Sequence, residues 1–204
     1  MIYEVRTYRL RPGTLAQCEE VFGGRLGERE KFSKLGAFWH TEVGQLNEII
    51  HVWPYDNLDQ RIEARTRAMK SGAWPPPIGE FIEEMKSEIF IPTPFMEPLV
   101  PKQLGPVYEI RTYHYKPGSI PVVIERWKSA IESRTKLSPL TACWFSDIGD
   151  LNKFVHIWPY ASLDERSRVR ADAAKLPAWP PDTKEFLVSQ ENKIVAPSSF
   201  SPLQ

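Results

Sequence analysis

Several features that define common protein classes are scarce or missing in this 204-residue sequence. It contains two cysteines, Cys18 and Cys143, far apart in the chain, and we expect them to be buried thiols rather than a disulfide framework. Basic and acidic residues both number 26, without a dense cationic run, which argues against nucleic acid or an anionic membrane as a partner. No stretch approaches the roughly 20 apolar residues of a membrane span, so no membrane insertion is predicted.

The sequence also lacks the short motifs of several enzyme classes. There is no P-loop, no Gly-x-Gly-x-x-Gly after a strand, no Gly-x-Ser-x-Gly, no His-Glu-x-x-His and no Cys-x-x-Cys. These absences argue against nucleotide hydrolysis, Rossmann redox chemistry, serine hydrolysis and zinc chemistry. No metal site is predicted, and the sequence indicates no particular cofactor. The chain opens directly on a strand pattern without a signal-like segment, so a cytoplasmic location is expected by default.

What the chain does contain is a repeat with a constant offset of 105 residues. The segment 3–8, Tyr-Glu-Val-Arg-Thr-Tyr, returns at 108–113 as Tyr-Glu-Ile-Arg-Thr-Tyr. Pro-Gly, Gly-x-Leu-Asn, His-x-Trp-Pro-Tyr and Trp-Pro-Pro motifs all return at the same spacing. A repeat of this length is a whole domain-sized unit, so the sequence predicts a tandem fusion of two similar halves. We place the first repeat at 1–99, a proline-rich linker at 100–106 and the second repeat at 107–204.

Each repeat has the pattern of a β-α-β-β-α-β unit. An alternating strand is followed by a helix, two strands joined by a glycine-containing turn, a second helix with a capping box, and a last strand predicted at about 88–91 or 193–196. This order is that of a ferredoxin-like α+β fold, whose sheet carries both helices on one face. Two copies can cover each other's bare faces, which predicts one α+β barrel built from both repeats.

The repeated motifs resemble those of the NIPSNAP family. The likeness rests on the opening Tyr-Glu-(Val/Ile)-Arg-Thr-Tyr, the following Pro-Gly, the Gly-x-Leu-Asn-x-x-x-His-x-Trp block and the Pro-x-x-Phe segments at 92–95 and 197–200. It extends over both repeats. The resemblance implies a dimeric α+β barrel related in fold to antibiotic-biosynthesis and haem-degrading monooxygenases, and it implies no particular reaction. Without a transit-like leader, the sequence favours a bacterial member over a mitochondrial one.

Strand alternation separates the repeated residues into two faces. Ile50, Val52, Val155 and Ile157 suit packing against helices, which leaves the polar and aromatic face for the barrel interior. An aromatic cavity with a few polar groups is typical of a small-molecule site. The catalytic candidates are Glu4, Arg6 and His51 with Glu109, Arg111 and His156, and the candidate ligand-binding residues are Tyr8, Trp39 and Trp53 with Tyr113, Trp144 and Trp158.

Each candidate also has a purely structural interpretation. Glu4 and Arg6 can form an ion pair on one strand face, the histidines can be satisfied within the sheet, and the tryptophans can be core. The pairs Arg61 with Arg65 and Arg166 with Arg170 lie four residues apart on the second helix, where they can clamp an anion or pair with nearby acids. The Trp-Pro-Pro triplets serve as helix stops whose indoles anchor a loop.

Two functional hypotheses follow from these residues. In the first, the barrel binds a small hydrophobic or aromatic molecule and transforms it, monooxygenase-like, without a tightly bound metal; a histidine acts as acid or base and Arg6 or Arg111 holds an anionic group. In the second, the Trp-Pro-Pro loops and Pro-x-x-Phe segments bind another protein or a second copy of the chain. A homo-oligomer is compatible with both.

Overall fold

The structure is a computed structural model that describes residues 1–204. Its two repeats have the same succession of elements. The first repeat contains β1 (Ile2–Leu10), α1 (Leu15–Arg29), β2 (Ala37–Val43), β3 (Glu48–Tyr55), α2 (Leu58–Lys70) and β4 (Ile82–Pro92). The second contains β5 (Val107–Tyr115), α3 (Ile120–Thr135), β6 (Ala142–Ile148), β7 (Lys153–Tyr160), α4 (Leu163–Ala173) and β8 (Leu187–Pro197). A short 3₁₀ turn precedes β4 and another precedes β8.

The eight strands form one closed antiparallel barrel in the order β1-β3-β2-β8-β5-β7-β6-β4. Within each repeat the first strand pairs with the third and the last strands. The repeats meet at two equivalent junctions, where Trp39 pairs with Pro197 in the β2–β8 ladder and Trp144 with Pro92 in the β4–β6 ladder. The predicted single α+β barrel made from both halves is therefore confirmed.

The last strand of each repeat is longer than the sequence predicts. We expected about 88–91 and 193–196, whereas β4 and β8 each contain 11 residues. The first half of each strand is mostly polar and exposed, so it lacks the alternation of apolar and polar residues by which a strand is recognised in a sequence. Pairing with β1 or β5 along nearly the whole strand makes them β structure.

The second helix of each repeat begins where the capping box indicates. The Asn57 side chain accepts a hydrogen bond from the Gln60 amide at 2.9 Å, and Ser162 accepts one from Glu165 at 3.1 Å. Such caps satisfy amides that have no partner inside the helix. Because the cap sets the first turn, it also sets which face of α2 and α4 lies over the sheet.

The barrel lumen is lined mainly by buried apolar side chains. Its cluster includes Tyr3, Trp39, Ile50, Val52, Phe90 and their counterparts Tyr108, Trp144, Val155, Ile157 and Val195. Trp39 and Trp144 are fully buried, and each contacts a tyrosine of the opposite repeat: Trp39 with Tyr108 and Tyr3 with Trp144. The lumen is thus the shared hydrophobic core of the two repeats.

The sequence-based assignment of the two sheet faces was wrong. Ile50, Val52, Val155 and Ile157 line the lumen instead of packing against helices. Tyr8, His51 and Trp53 face outward and lie beneath α1, together with Phe22 and Leu26. The physical reason is that both faces of this sheet are buried, so apolar character does not mark the face toward the helices. Polar side chains occupy the outer face because helix arginines meet them there.

The segments after the last strands cross between repeats. Phe95, which follows β4, packs against the outer cluster of the second repeat, and Phe200, which follows β8, packs against that of the first. The Thr93 amide donates to the Cys143 carbonyl at 2.9 Å, and the Ser198 amide donates to the Phe38 carbonyl at 3.2 Å. We call these two segments, 93–95 and 198–200, the crossed arms, because each packs against the other repeat.

Cys18 and Cys143 are free and buried, as the sequence predicts. Burial raises the pKa of the Cys18 thiol to about 11, with a smaller contribution from Glu19. Both thiols therefore behave as small apolar side chains. No helix in the chain has the length and apolar character needed to cross a bilayer.

The lumen assignment predicts different costs for two isoleucine substitutions. Ile157 is 1% exposed in the lumen and Ile62 on α2 is 56% exposed. We expect Ile157→Ala to lower the free energy of unfolding by about 2–5 kcal/mol, since it leaves a cavity in the core. Ile62→Ala should change it by less than about 0.5 kcal/mol. Urea titration measures both values, and similar losses for the two variants would contradict the assignment.

Candidate functional site

A fully buried carboxylate lies beneath the helix layer of each repeat. Glu4 on β1 receives hydrogen bonds from Arg6 at 2.8 Å, Arg61 at 2.7 Å and Ser87 at 2.8 Å, and Arg65 lies 3.6 Å away. The predicted Glu4–Arg6 ion pair is therefore present, and the two helix arginines are its partners. The side chain of Glu4 is 0% exposed.

The second repeat has the same arrangement around Glu109. Arg111 donates to its Oε1 at 2.9 Å, Arg166 at 2.6 Å and Asn192 at 3.1 Å, while Arg170 lies 3.5 Å from Oε2. Burial raises the pKa of each carboxyl group, but the surrounding guanidinium groups outweigh it. The pKa of Glu4 is lowered to about 2 and that of Glu109 is also lowered. Both groups are anionic at neutral pH.

The two repeated histidines are buried and neutral. Trp53 Nε1 donates to His51 Nδ1 at 2.7 Å, and Trp158 Nε1 donates to His156 Nδ1 at 2.6 Å. Burial and nearby arginines lower the pKa of His51 to about 3 and that of His156 well below its usual value. Because Nδ1 accepts, the proton of each neutral ring lies on Nε2. Both Nε2 atoms are buried without a hydrogen-bond partner.

The second repeat contains a cleft of about 320 Å³ between its helices and the outer face of the sheet. Tryptophans 127, 158 and 179 form aromatic walls, and His156 lies among them. Trp127 is 4.6 Å from His156 and 5.1 Å from Trp179, measured between ring centroids. The Trp-Pro-Pro segment forms part of the rim. A cleft of this size is in the range of small-molecule sites.

Cationic side chains line this cleft and acidic ones do not. Arg111, Arg134, Arg170 and Lys184 are among the lining residues, which include no aspartate or glutamate. Arg134 lies over the Trp158 ring, with its guanidinium carbon 4.0 Å from the ring centroid, and is 3% exposed. Burial lowers the pKa of Arg134, yet an arginine remains charged at neutral pH. Glu109, which contacts Arg111 and Arg170, balances part of this positive charge.

The corresponding region of the first repeat has the same polar framework but different filling. Arg6, Arg29, His51, Trp53, Arg65 and Trp74 are the counterparts of cleft residues 105 positions later. At other positions, the buried Ile78 and Phe38 stand where the second repeat has Thr183 and Cys143, whereas Met69 and Met85, the counterparts of Ala174 and Gln190, are 60% and 53% exposed. Phe22, Phe38 and Phe200 also pack around His51. The repeats therefore differ where the cleft is open.

The structure divides the sequence-predicted site residues between four places. Arg111, Tyr113, His156 and Trp158 line the cleft. Their counterparts Arg6, Tyr8, His51 and Trp53 lie in the packed outer layer of the first repeat, Glu4 and Glu109 lie beneath the arginines, and Trp39 and Trp144 lie in the lumen. Trp39 and Trp144 do not join the histidines, because they project from the opposite face of the sheet.

Sequence reasoning missed Trp127, Arg134, Tyr115 and Thr183. The Tyr115 hydroxyl and Thr183 Oγ1 are 3.0 Å apart at one side of the cleft. Arg29 and Arg134 stand at repeat-equivalent positions near helix ends, a signal that was available in the sequence. Trp127 and Thr183 replace Phe22 and Ile78, so comparison of the repeats for differences could have found them.

A smaller cavity of about 150 Å³ lies at one mouth of the lumen. Its inner wall includes Trp39 and Trp144, and its rim carries charged side chains of both signs. No group of three or more histidine, cysteine, aspartate or glutamate residues is arranged to hold a metal ion. The cleft of the second repeat is therefore larger than this cavity, and its charged lining residues are all cationic.

The buried Glu, Arg and His have the same spacing in both ferredoxin-like repeats, and the two repeats close one barrel. The protein is therefore an α+β barrel protein of the tandem-repeat type. The NIPSNAP family model matches residues 3–97 and 108–202, and the chain belongs to the NIPSNAP family. It is 30% identical to Protein NipSnap homolog 3A of Homo sapiens over 214 residues, covering 100% of this chain and 86% of the relative. It is 31% identical to the NipSnap homolog of Dictyostelium discoideum, covering 96% and 87%.

The eukaryotic origin of these relatives corrects one prediction. We expected a bacterial protein, but relatives from animals and Dictyostelium match both repeats in one chain. Among solved structures, a protein from Lactobacillus acidophilus provisionally named a monooxygenase aligns with a TM-score of 0.67. The alignment covers 96% of this chain and 92% of that protein at 11% identity. At that identity the likeness shows the fold alone.

The lowered pKa of Glu4 predicts a specific acid sensitivity. Because its pKa falls from 4.5 to about 2 on folding, its stabilising contribution is complete above pH 4.5 and is lost as the pH falls through 2. We expect Glu4→Gln to lower the free energy of unfolding at pH 7 by on the order of 3 kcal/mol and to flatten its dependence on pH in this window.

Urea unfolding at several pH values measures this effect. Glu63→Gln is the control, because the Glu63 side chain is 68% exposed and pairs only with Arg67 at 3.4 Å. Its stability and pH dependence should match those of the wild type. Equal behaviour of the two variants would contradict a structural role for the buried carboxylate.

Proposed function

We propose that this protein binds a small molecule with an aromatic or hydrophobic body and an anionic group, in the cleft of the second repeat. The observation that carries the proposal is the cleft lining, in which four cations and no acid accompany three tryptophans. Tryptophan faces suit a flat apolar body, and guanidinium groups suit a carboxylate or a similar anion. This moves the proposed site from the barrel lumen to the outer cleft.

His156 contributes a neutral ring to the lining of the site. Its Nδ1 accepts from Trp158, and its Nε2–H has no partner within the protein. Nε2 is buried, as is Nε2 of His51 in the packed first repeat, so a ligand oxygen reaches it only when neighbouring side chains move aside. In this tautomer His156 donates to an oxygen and stabilises negative charge that develops there, whereas a base role would require a proton-free Nε2. This replaces the acid or base role that the sequence suggested.

The first repeat then serves as a scaffold for the second. Phe38 stacks on the ring of His51, the counterpart of His156, at 5.7 Å, and Ile78 is buried nearby, where the second repeat has the smaller or more polar Cys143 and Thr183. Oxygenation of the bound molecule is the reaction to assay first, and this choice rests on analogy of fold alone. The cytoplasmic location stays a prediction.

The interaction hypothesis receives less support. Trp74 packs edge-on against Phe22 at 5.1 Å, and Trp179 packs edge-on against Trp127 at 5.1 Å. Phe95 and Phe200 are used in the crossed arms. The aromatic side chains assigned to an external partner therefore have partners within the chain.

The ligand class can be tested with matched acids and amides. We expect benzoate and 1-naphthoate to raise the thermal midpoint, because binding to the folded state stabilises it, and benzamide and 1-naphthamide to raise it much less. Arg170→Gln should reduce the response to the acids. Its control is Arg65→Gln, the equivalent change in the first repeat, which should leave the response intact. Equal responses to acids and amides would contradict the proposal.

The location can be tested by filling the cleft. Thr183→Ile introduces the residue found at position 78, where Ile78 is 4% exposed, and should reduce binding of the best acid at least about tenfold, through loss of space. Thr66→Ile is the control, since Thr66 is exposed on α2 and does not line the cleft. Isothermal titration calorimetry measures both affinities. Unchanged affinity in Thr183→Ile, with normal folding by circular dichroism, would place binding elsewhere.

A further inference from the structure

Three charged positions at one mouth of the barrel change sign between the repeats. Glu48 is the counterpart of Lys153, Glu88 of Lys193, and Lys86 of Glu191. All six side chains line the small cavity at the mouth of the lumen. Most of the buried polar framework is instead identical in the two repeats, so this sign reversal stands out against the rest of the duplication.

Four of these side chains form ion pairs that join one repeat to the other. Lys193 Nζ of the second repeat lies 2.5 Å from Glu48 Oε2 of the first, and Lys153 Nζ of the second lies 2.6 Å from Glu88 Oε1 of the first. The four side chains are between 10% and 22% exposed. Such partly buried pairs are screened less by salt than exposed ones.

The two pairs occupy equivalent places at the two junctions. A glycine beside each pair leaves room for it. A Cβ atom on Gly44 would lie 3.2 Å from Lys193 Cβ, and one on Gly149 would lie 3.0 Å from Glu88 Cγ. Both glycines have positive φ angles, 116° and 119°. The backbone is therefore alike at both junctions, the polarity of the ion pair is reversed, and Lys153 also lies 3.4 Å from Asp150, whose counterpart is Gln45.

We infer that this mouth is a pairing surface that accepts only a repeat of the opposite polarity. In a barrel made from two first repeats, each Glu48 would meet a Glu88. In a barrel made from two second repeats, each Lys153 would meet a Lys193. In either barrel, two like charges would lie close together and partly buried at each junction, which is unfavourable. The observed pairing of a first with a second repeat instead places opposite charges at each junction.

The partner defined by this surface is a NIPSNAP repeat with the complementary mouth charges, in the same chain or in a second copy of it. The backbone ladders alone do not discriminate, because the hydrogen-bonded pairs at the two junctions are repeat-equivalent. Charge supplies the discrimination, as it does where like charges exclude a wrong partner.

Charge-exchange variants of the full chain test this inference. The double variant Glu48→Lys with Lys153→Glu keeps the net charge but places lysine against Lys193 and glutamate against Glu88. We expect its thermal midpoint to fall by roughly 5 °C or more. The quadruple variant adds Glu88→Lys and Lys193→Glu, restores opposite charges at both junctions, and should return to within about 2 °C of the wild type.

The double variant has a second expected property. Its charges favour pairing of first repeat with first and second with second, which a single chain cannot satisfy. After refolding from urea, native mass spectrometry should show a larger two-chain fraction than for the wild type and the quadruple variant. Recovery in the quadruple variant separates a pairing effect from failure to fold. A wild-type midpoint in the double variant, or an equally low midpoint in the quadruple variant, would overturn the inference.

Discussion

The burial of one carboxylate beneath each helix layer is the constraint on which the rest of this structure depends. Glu4 or Glu109 is completely removed from water, and an uncompensated buried charge would be strongly destabilising. Arginines from the same strand and from the second helix supply the compensation. The ion pairs therefore set how α2 and α4 lie over the sheet, and burial beneath these helices, with a further contribution from the arginines, lowers the pKa of the adjacent histidine.

Duplication allowed this common framework to be used in two ways. Both repeats keep the Glu-Arg-His-Trp arrangement, because it fixes the helix layer. In the first repeat, bulky apolar residues complete the packing around His51. In the second, smaller or more polar residues at equivalent positions leave a cleft beside His156. The polar framework therefore belongs to the fold, while the open space belongs to one repeat only.

Much of the fold could be predicted from the sequence, but the direction of the faces could not. The 105-residue offset, the caps at Asn57 and Ser162 and the strand alternation gave the element order and the barrel. Alternation separates Glu4 from Val5 without saying which is inside. In a barrel covered by helices both faces are buried, and the partners of Glu4 on α2 are 57 residues away in sequence.

The sequence predicts part of the candidate site, namely the residues that repeat, but not the open space beside them. Residues that repeat, such as Arg111 and His156, could be selected from the sequence because the duplication marks them. The cleft itself depends on the positions that do not repeat, such as Thr183, where the first repeat has the buried Ile78. Their significance lies in volume lost from a packed layer, and side-chain volume acquires meaning only once neighbours in space are known.

The crossed arms have a consequence for how the chain loses its structure. Phe95 completes the outer layer of the second repeat, and Phe200 completes that of the first. If one repeat unfolds, the other repeat loses the side chains that its partner contributes to the lumen core. It also loses the aromatic residue that its partner contributes to its outer layer. Because the barrel, its lumen core and these aromatic contacts all join the two repeats, we expect the repeats to unfold together in one cooperative transition rather than as two domains in succession.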